Sequence, residues 1–212
     1  MTSSMELAEA ERRDLLVLAE SLTPEQWAAP SLCTGWSVQD VVTHVVSYED
    51  LPRTEMAKLT VQARGNPARL NDLVVERTSG TTEELLERLR RALVPTGLTA
   101  QFNGRIALTD GLIHRQDVRR PLGLGTDVPH DRLASALTFA MVAPPIRGAV
   151  RTRFLRLQAI DLDWTFGRGL VVTGPGEALL MAATGRPAAL DELDGPGLAL
   201  LRGRLERPAS RP

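Results

Sequence analysis

Residues Arg105–Leu122 read RIALTDGLIHRQDVRRPL. Asp110 and His114 stand four apart, and on an α-helix this spacing puts both side chains on one face, roughly 5–6 Å apart at Cβ. Ile106, Ile113 and Val118 are apolar near that face, whereas Arg115, Arg119 and Arg120 lie off it. Pro121 ends the segment because it cannot donate the next helical hydrogen bond. The stretch therefore predicts a helix that carries a carboxylate and an imidazole side by side. A shared metal ion is one use of such a pair, and an intrahelical ion pair is the other. Asp117 continues the face, placed either to orient the imidazole through its second nitrogen or to pair with an arginine.

A catalytic zinc ion usually takes three protein ligands and leaves a further position open. The candidate for the third lies upstream, in SLCTGWSVQDVVTHVV at 31–46. Ser37 and Asp40 form a capping box with Asp in place of Glu, so a helix is expected from Ser37 toward Leu51-Pro52. At a rise of about 1.5 Å per residue, His44 sits about 10 Å inside it, well past the capping turn. Its apolar neighbours Val41, Val42, Val45 and Val46 let it project into a bundle interior opposite Asp110 and His114. A histidine hydrogen-bonded within a core is the plainer reading of the same pattern. His130, at a helix entry, reads as a surface or capping residue, and Cys33 as a buried thiol that is not the nucleophile. Trp27, Trp36 and Trp164 read as packing anchors.

Around these two helices the chain is punctuated clearly. A helix is expected over Ser4–Leu22, a short one after Thr23-Pro24, and another from Thr82 through Leu93. Arg53–Gly80 is weakly patterned, with a helical candidate through Leu70, Leu73 and Val74. Asp131–Met141 reads as a helix before Pro144-Pro145, where the pattern changes. Phe154–Ile160 and Leu170–Thr173 suggest two short strands joined by a turn containing Gly167 and Gly169. A helix over Glu177–Thr184, stopped by Gly185, and a short helical turn over Pro187–Leu193 follow, and Arg207–Pro212 looks frayed. The expected organisation is a helical domain over 1–145 and a small α+β domain over 146–212.

The 212 residues carry a net charge of −1, which gives no broad basic field and argues against nucleic acid or an anionic membrane as the main partner. A single cysteine rules out an internal disulfide, and no apolar run reaches the roughly 20 residues of a membrane helix. The first residues lack the basic and apolar regions of a secretory signal, so a cytoplasmic protein is expected.

SLCTGWSVQDVVTHVV, RIALTDGLIHRQDVRRPLG and the C-terminal AIDLDWTFGRGLVVTGPGEALLMAATGRPAALDELDGPG occur in the order in which similar segments occur in DinB-like proteins of the mycothiol-dependent maleylpyruvate isomerase family. The resemblance covers nearly the whole chain. It implies a mainly α protein, a DinB-like four-helix bundle followed by a small α+β domain, with a divalent metal, commonly zinc, held by His44, Asp110 and His114. It also implies a catalytic arginine in the C-terminal domain, for which Arg186 is the best match; capping of the preceding helix is the alternative use of that side chain. One departure stands out, because the family's isomerases use Glu where this chain has the shorter Asp110. The function implied is a metal-dependent isomerase or S-transferase that uses mycothiol, or another small thiol, on a small electrophilic substrate. A noncatalytic metal-binding or stress-response protein and a metal-dependent hydrolase are the competing expectations.

Overall fold

The computed structural model describes residues 2–144 and 146–206, with the backbone alone at Asp50. The chain divides into two compact units, one ending at Gly125 and the other beginning at Thr126. The first contains α1 (Ser4–Ser21), α2 (Pro24–Ala28), α3 (Val38–Asp50), α4 (Arg53–Gln62), α5 (Pro67–Thr78), α6 (Thr82–Arg91) and α7 (Arg105–Arg119). Four of these helices open on reciprocal capping boxes: Ser3 with Glu6, Thr23 with Gln26, Ser37 with Asp40, and Thr81 with Glu84. Each box satisfies amides that a helix start leaves without partners, so the sequence marks these boundaries locally. The weakly patterned stretch after Pro52 forms two helices rather than one. Asn66 starts the second, accepting from the amides of Ala68 and Arg69.

α1 packs on α6 and α7, and α3 packs on the same two, which closes a four-helix bundle; α2 and α5 lie against α3, and α4 against α5. Val41, Val42, Val45 and Val46 of α3 are all buried in its core. Each contributes about 1.5–3 kcal/mol of apolar burial, which offsets the cost of taking His44 out of water beside them. Two buried ion pairs set the helices in register: Arg115 of α7 donates to Glu11 of α1, and Arg12 of α1 to Glu49 of α3. Leaving either charge buried without its partner costs about 3–5 kcal/mol, so α7 is held with Arg115 against α1. With α7 so placed, Asp110 and His114 face His44 of α3, and Asp117 faces Cys33 in the segment that precedes it. The start of α7 is equally constrained, because Gly104 has φ +78° and any Cβ there would lie 3.0 Å from the Met5 backbone.

The second unit contains α8 (His130–Val142), α9 (Gly148–Arg151), β1 (Leu155–Ala159), β2 (Thr165–Gly167), β3 (Leu170–Gly174), α10 (Gly176–Ala183), a 3₁₀ turn (Pro187–Glu192) and α11 (Leu198–Leu205). α8 packs against α10, so the compact units divide about twenty residues before the boundary expected at 145 from the change of sequence pattern. The pattern marks where strands begin, whereas membership follows the apolar face of α8, which includes Leu133 and Leu137.

The expected pair of strands is a three-stranded sheet of order β2-β1-β3, in which β1 runs antiparallel to β2 and parallel to β3. After β2 the chain passes beneath the start of β1 to reach its other side. There a Cβ on Gly169 would sit 2.0 Å from the Phe154 carbonyl oxygen, and one on Gly167 2.4 Å from that of Leu155. Only glycine permits this crossing. The frayed end expected at Arg207–Pro212 lies outside the described residues. No helix among the described residues is long and apolar enough to cross a membrane.

Candidate functional site

The packing of α7 on α3 brings His44, Asp110 and His114 together. Asp110 Oδ1 lies 3.6 Å from His44 Nε2 and 3.4 Å from His114 Nε2. The two imidazole centroids are 4.8 Å apart with planes at 75°, and one ligand atom from each of the three residues falls within 4.8 Å of the others. Ligands about 2.0–2.1 Å from a common tetrahedral ion stand about 3.3–3.4 Å apart, so the separations suit a shared cation better than direct hydrogen bonds. The histidines are buried, while the Asp110 side chain keeps 36% of its exposure, so the cluster has one side open to solvent. Although one methylene shorter than glutamate, the Asp110 side chain reaches both rings.

His114 is held from behind. Its Nδ1 lies 2.9 Å from Oδ2 of Asp117, whose side chain is fully buried, and the Cys33 thiol donates to the same oxygen at 3.1 Å. A carboxylate that accepts a hydrogen bond from Nδ1–H leaves Nε2, the other ring nitrogen, directed at Asp110 and His44, the arrangement that orients metal-ligating imidazoles. Burial opposes charge on His114, yet Asp110, Asp117 and Cys33 together hold its pKa well above the usual imidazole range. Burial likewise opposes charge on Asp110, and attraction to His114 and His44 overcomes it, holding that pKa below the carboxylate range. The two carboxylates therefore favour positive charge on the His114 ring. Cys33, His114 and Asp117 form a second group with metal-ligand spacing. In that group donors already meet acceptors, whereas in the first, two imidazoles and a carboxylate become a three-acceptor set once His114 gives up its Nε2 proton.

The chain matches the family described as Mycothiol maleylpyruvate isomerase N-terminal domain over residues 8–143. It belongs to that family. The matched segment contains all three converging side chains and extends through α8. Two solved structures share the fold: the mycothiol-dependent maleylpyruvate isomerase, with TM-score 0.55, and a histidine-to-alanine variant of it, with TM-score 0.58. Each is 14% identical, over 92% of this chain and 96% of theirs. No curated protein matches the chain in sequence.

Beyond the three expected ligands, the site contains side chains that sequence reasoning did not place there. Trp36, read as a packing anchor, has its ring centroid 5.2 Å from that of His44, and Tyr48 meets His44 edge-on at 5.5 Å. The spacing of Tyr48, four residues after His44 on α3, is the signal that could have found it. Burial and then the charge of Asp110 push the Tyr48 hydroxyl up to about 12, so it stays protonated and donates to Asn71 Oδ1 at 2.7 Å. Cys33, set aside as a buried thiol, is tied to the site through Asp117; its distance in sequence hides that role. Arg186 lies in the second unit at the entry to the 3₁₀ turn, half-buried, where its Nη1 donates to the Thr184 carbonyl oxygen at 3.0 Å. His130 opens α8 and is exposed.

Proposed function

We propose that this chain is a metal-dependent enzyme that uses mycothiol to isomerise a small electrophilic substrate or transfer the thiol to it. His44, Asp110 and His114 would hold a divalent cation, with zinc the best match to two imidazoles and a carboxylate. The observation that carries this reading is the convergence of the three donors with His114 clamped by Asp117. When bound, the cation lowers a thiol's pKa and so supplies thiolate near neutral pH.

The protein's own residues then have distinct tasks. Asp117 keeps the Nδ1 proton on His114 and the ring directed at the cluster. The surrounding valines exclude water from the histidine side, and the open edge at Asp110 admits the thiol. A thiolate that adds to a conjugated double bond leaves a single bond free to rotate, and its expulsion returns the isomerised substrate with no net oxidation. Arg186 is the proposed partner for an anionic group on the substrate or for charge developing during addition. Its bond to Thr184 supports a second reading for that one residue, in which it caps the end of α10.

The test is the metal content of protein purified without chelator, followed by mycothiol-dependent consumption of maleylpyruvate and of simpler unsaturated dicarboxylates. The expected result is one metal per chain and turnover that requires both metal and thiol. Metal-dependent hydrolysis without thiol would move the protein to the hydrolase class. A metal-free chain with no turnover would support a binding role.

A further inference from the structure

We infer that Trp36 and Tyr48 are positioning residues for His44, held in place by Asp72 and Asn71 of α5; the inference rests on the metal reading above. An imidazole that ligates through Nε2 must have its ring direction held, most often by a hydrogen bond at the other nitrogen. His114 has that bond, to Asp117. His44 does not: its Nδ1 is buried with no hydrogen-bond partner among the described residues. Nothing polar fixes the angle at which its Nε2 faces Asp110.

Packing supplies what the missing bond does not. The Trp36 ring lies against His44 at 5.2 Å, tilted by 47°, and the Tyr48 ring meets it at 5.5 Å, close to perpendicular at 86°. With His114 at 4.8 Å and its plane at 75°, the His44 ring has three aromatic neighbours within 5.5 Å, and close packing against them restricts its rotation. Trp36 and Tyr48 are themselves anchored by their single polar atoms. Tyr48 Oη donates to Asn71 Oδ1 at 2.7 Å, and Trp36 Nε1 to Asp72 Oδ1 at 2.9 Å. Asn71 and Asp72 are consecutive on α5, so their side chains diverge by about 100° and reach two separate rings. α5, which offers no ligand, thereby fixes the orientation of one.

The experiment measures zinc affinity of the full chain by chelator competition, the visible spectrum of the cobalt-substituted protein, and the melting temperature of the metal-free form. Trp36→Leu and Tyr48→Leu should each weaken zinc binding by about 10- to 100-fold, the range seen when supports behind a ligand are removed, and should alter the cobalt bands. Trp36→Phe and Tyr48→Phe keep a ring and should recover most of that affinity. A purely structural role would lower the metal-free melting temperature and leave affinity and cobalt spectrum as in the parent; that result overturns the inference. Should a leucine variant fail to fold, Asn71→Leu and Asp72→Leu, which remove the anchors and leave both rings in place, carry the test: each should alter the cobalt bands, and parent-like affinity and spectra in both overturn the inference. A parent chain that binds neither zinc nor cobalt overturns the metal reading and the positioning role with it. That outcome is distinct from a parent that binds and variants that bind equally well.

Discussion

Replacing Asp117 by Asn probes the support behind His114 with little change of shape. The Asp117 side chain is fully buried, and its Oδ2 accepts from the His114 ring at 2.9 Å and from the Cys33 thiol at 3.1 Å. An amide oxygen can still accept the Nδ1 proton, but the negative charge is gone, and the new NH₂ meets a thiol sulfur that accepts weakly. Hydrogen bonds to charged groups contribute about 1.5–3 kcal/mol, against about 1 kcal/mol for neutral pairs. The difference, about 0.5–2 kcal/mol, corresponds to about 2- to 30-fold in an equilibrium constant. Supports behind metal-ligating histidines are commonly worth about 10- to 100-fold in metal affinity, and the two ranges overlap at about 10- to 30-fold. Zinc affinity of Asp117→Asn, measured by competition with a chromophoric chelator, should fall by that factor. The metal-free melting temperature shows whether the fold survives. Parent-like affinity in a folded variant would refute the reasoning and reduce Asp117 to a buried hydrogen-bond acceptor.

His114→Ala should lose metal affinity by on the order of 100-fold or more while remaining folded, because the valine and leucine core of the bundle does not depend on that ring; metal analysis and circular dichroism together check this. Metal affinity should rise with pH, by up to about tenfold per unit, because the cation must displace the proton from His114, whose pKa is raised; titrations across neutral to alkaline pH that show no slope would contradict this. In the metal-free protein the raised His114 pKa contributes stability that is fully present below 6.5 and is lost as pH rises through the raised value. The lowered Asp110 pKa contributes stability present above 3.8 and lost as pH falls, so metal-free melting temperatures should peak between those limits. Arg186→Ala should keep metal and thiol binding but lose about 10²- to 10³-fold in turnover if the arginine meets developing charge, whereas full activity with a lower melting temperature would assign it to capping α10.

The sequence alone determined what depends on neighbours a few residues away. Capping boxes at Ser3, Thr23, Ser37 and Thr81 mark helix starts, and the four-residue spacing of Asp110 and His114 puts them on one face, because both effects act within a turn or two of helix. The ordered segments around His44, Asp110 and the C-terminal strands were enough to indicate the family. Tertiary structure decided what depends on long-range pairing. Whether Asp117 served histidine or arginine turned on the rotation of α7, which Arg115 sets by reaching Glu11 of α1, 104 residues away in sequence. The side of β1 taken by β3 followed from a glycine crossing beneath Phe154, and the allegiance of α8 from contacts with α10. Trp36, Tyr48 and Cys33 look in sequence like ordinary apolar residues, and they acquire a role only when the closing bundle sets their atoms against two histidines.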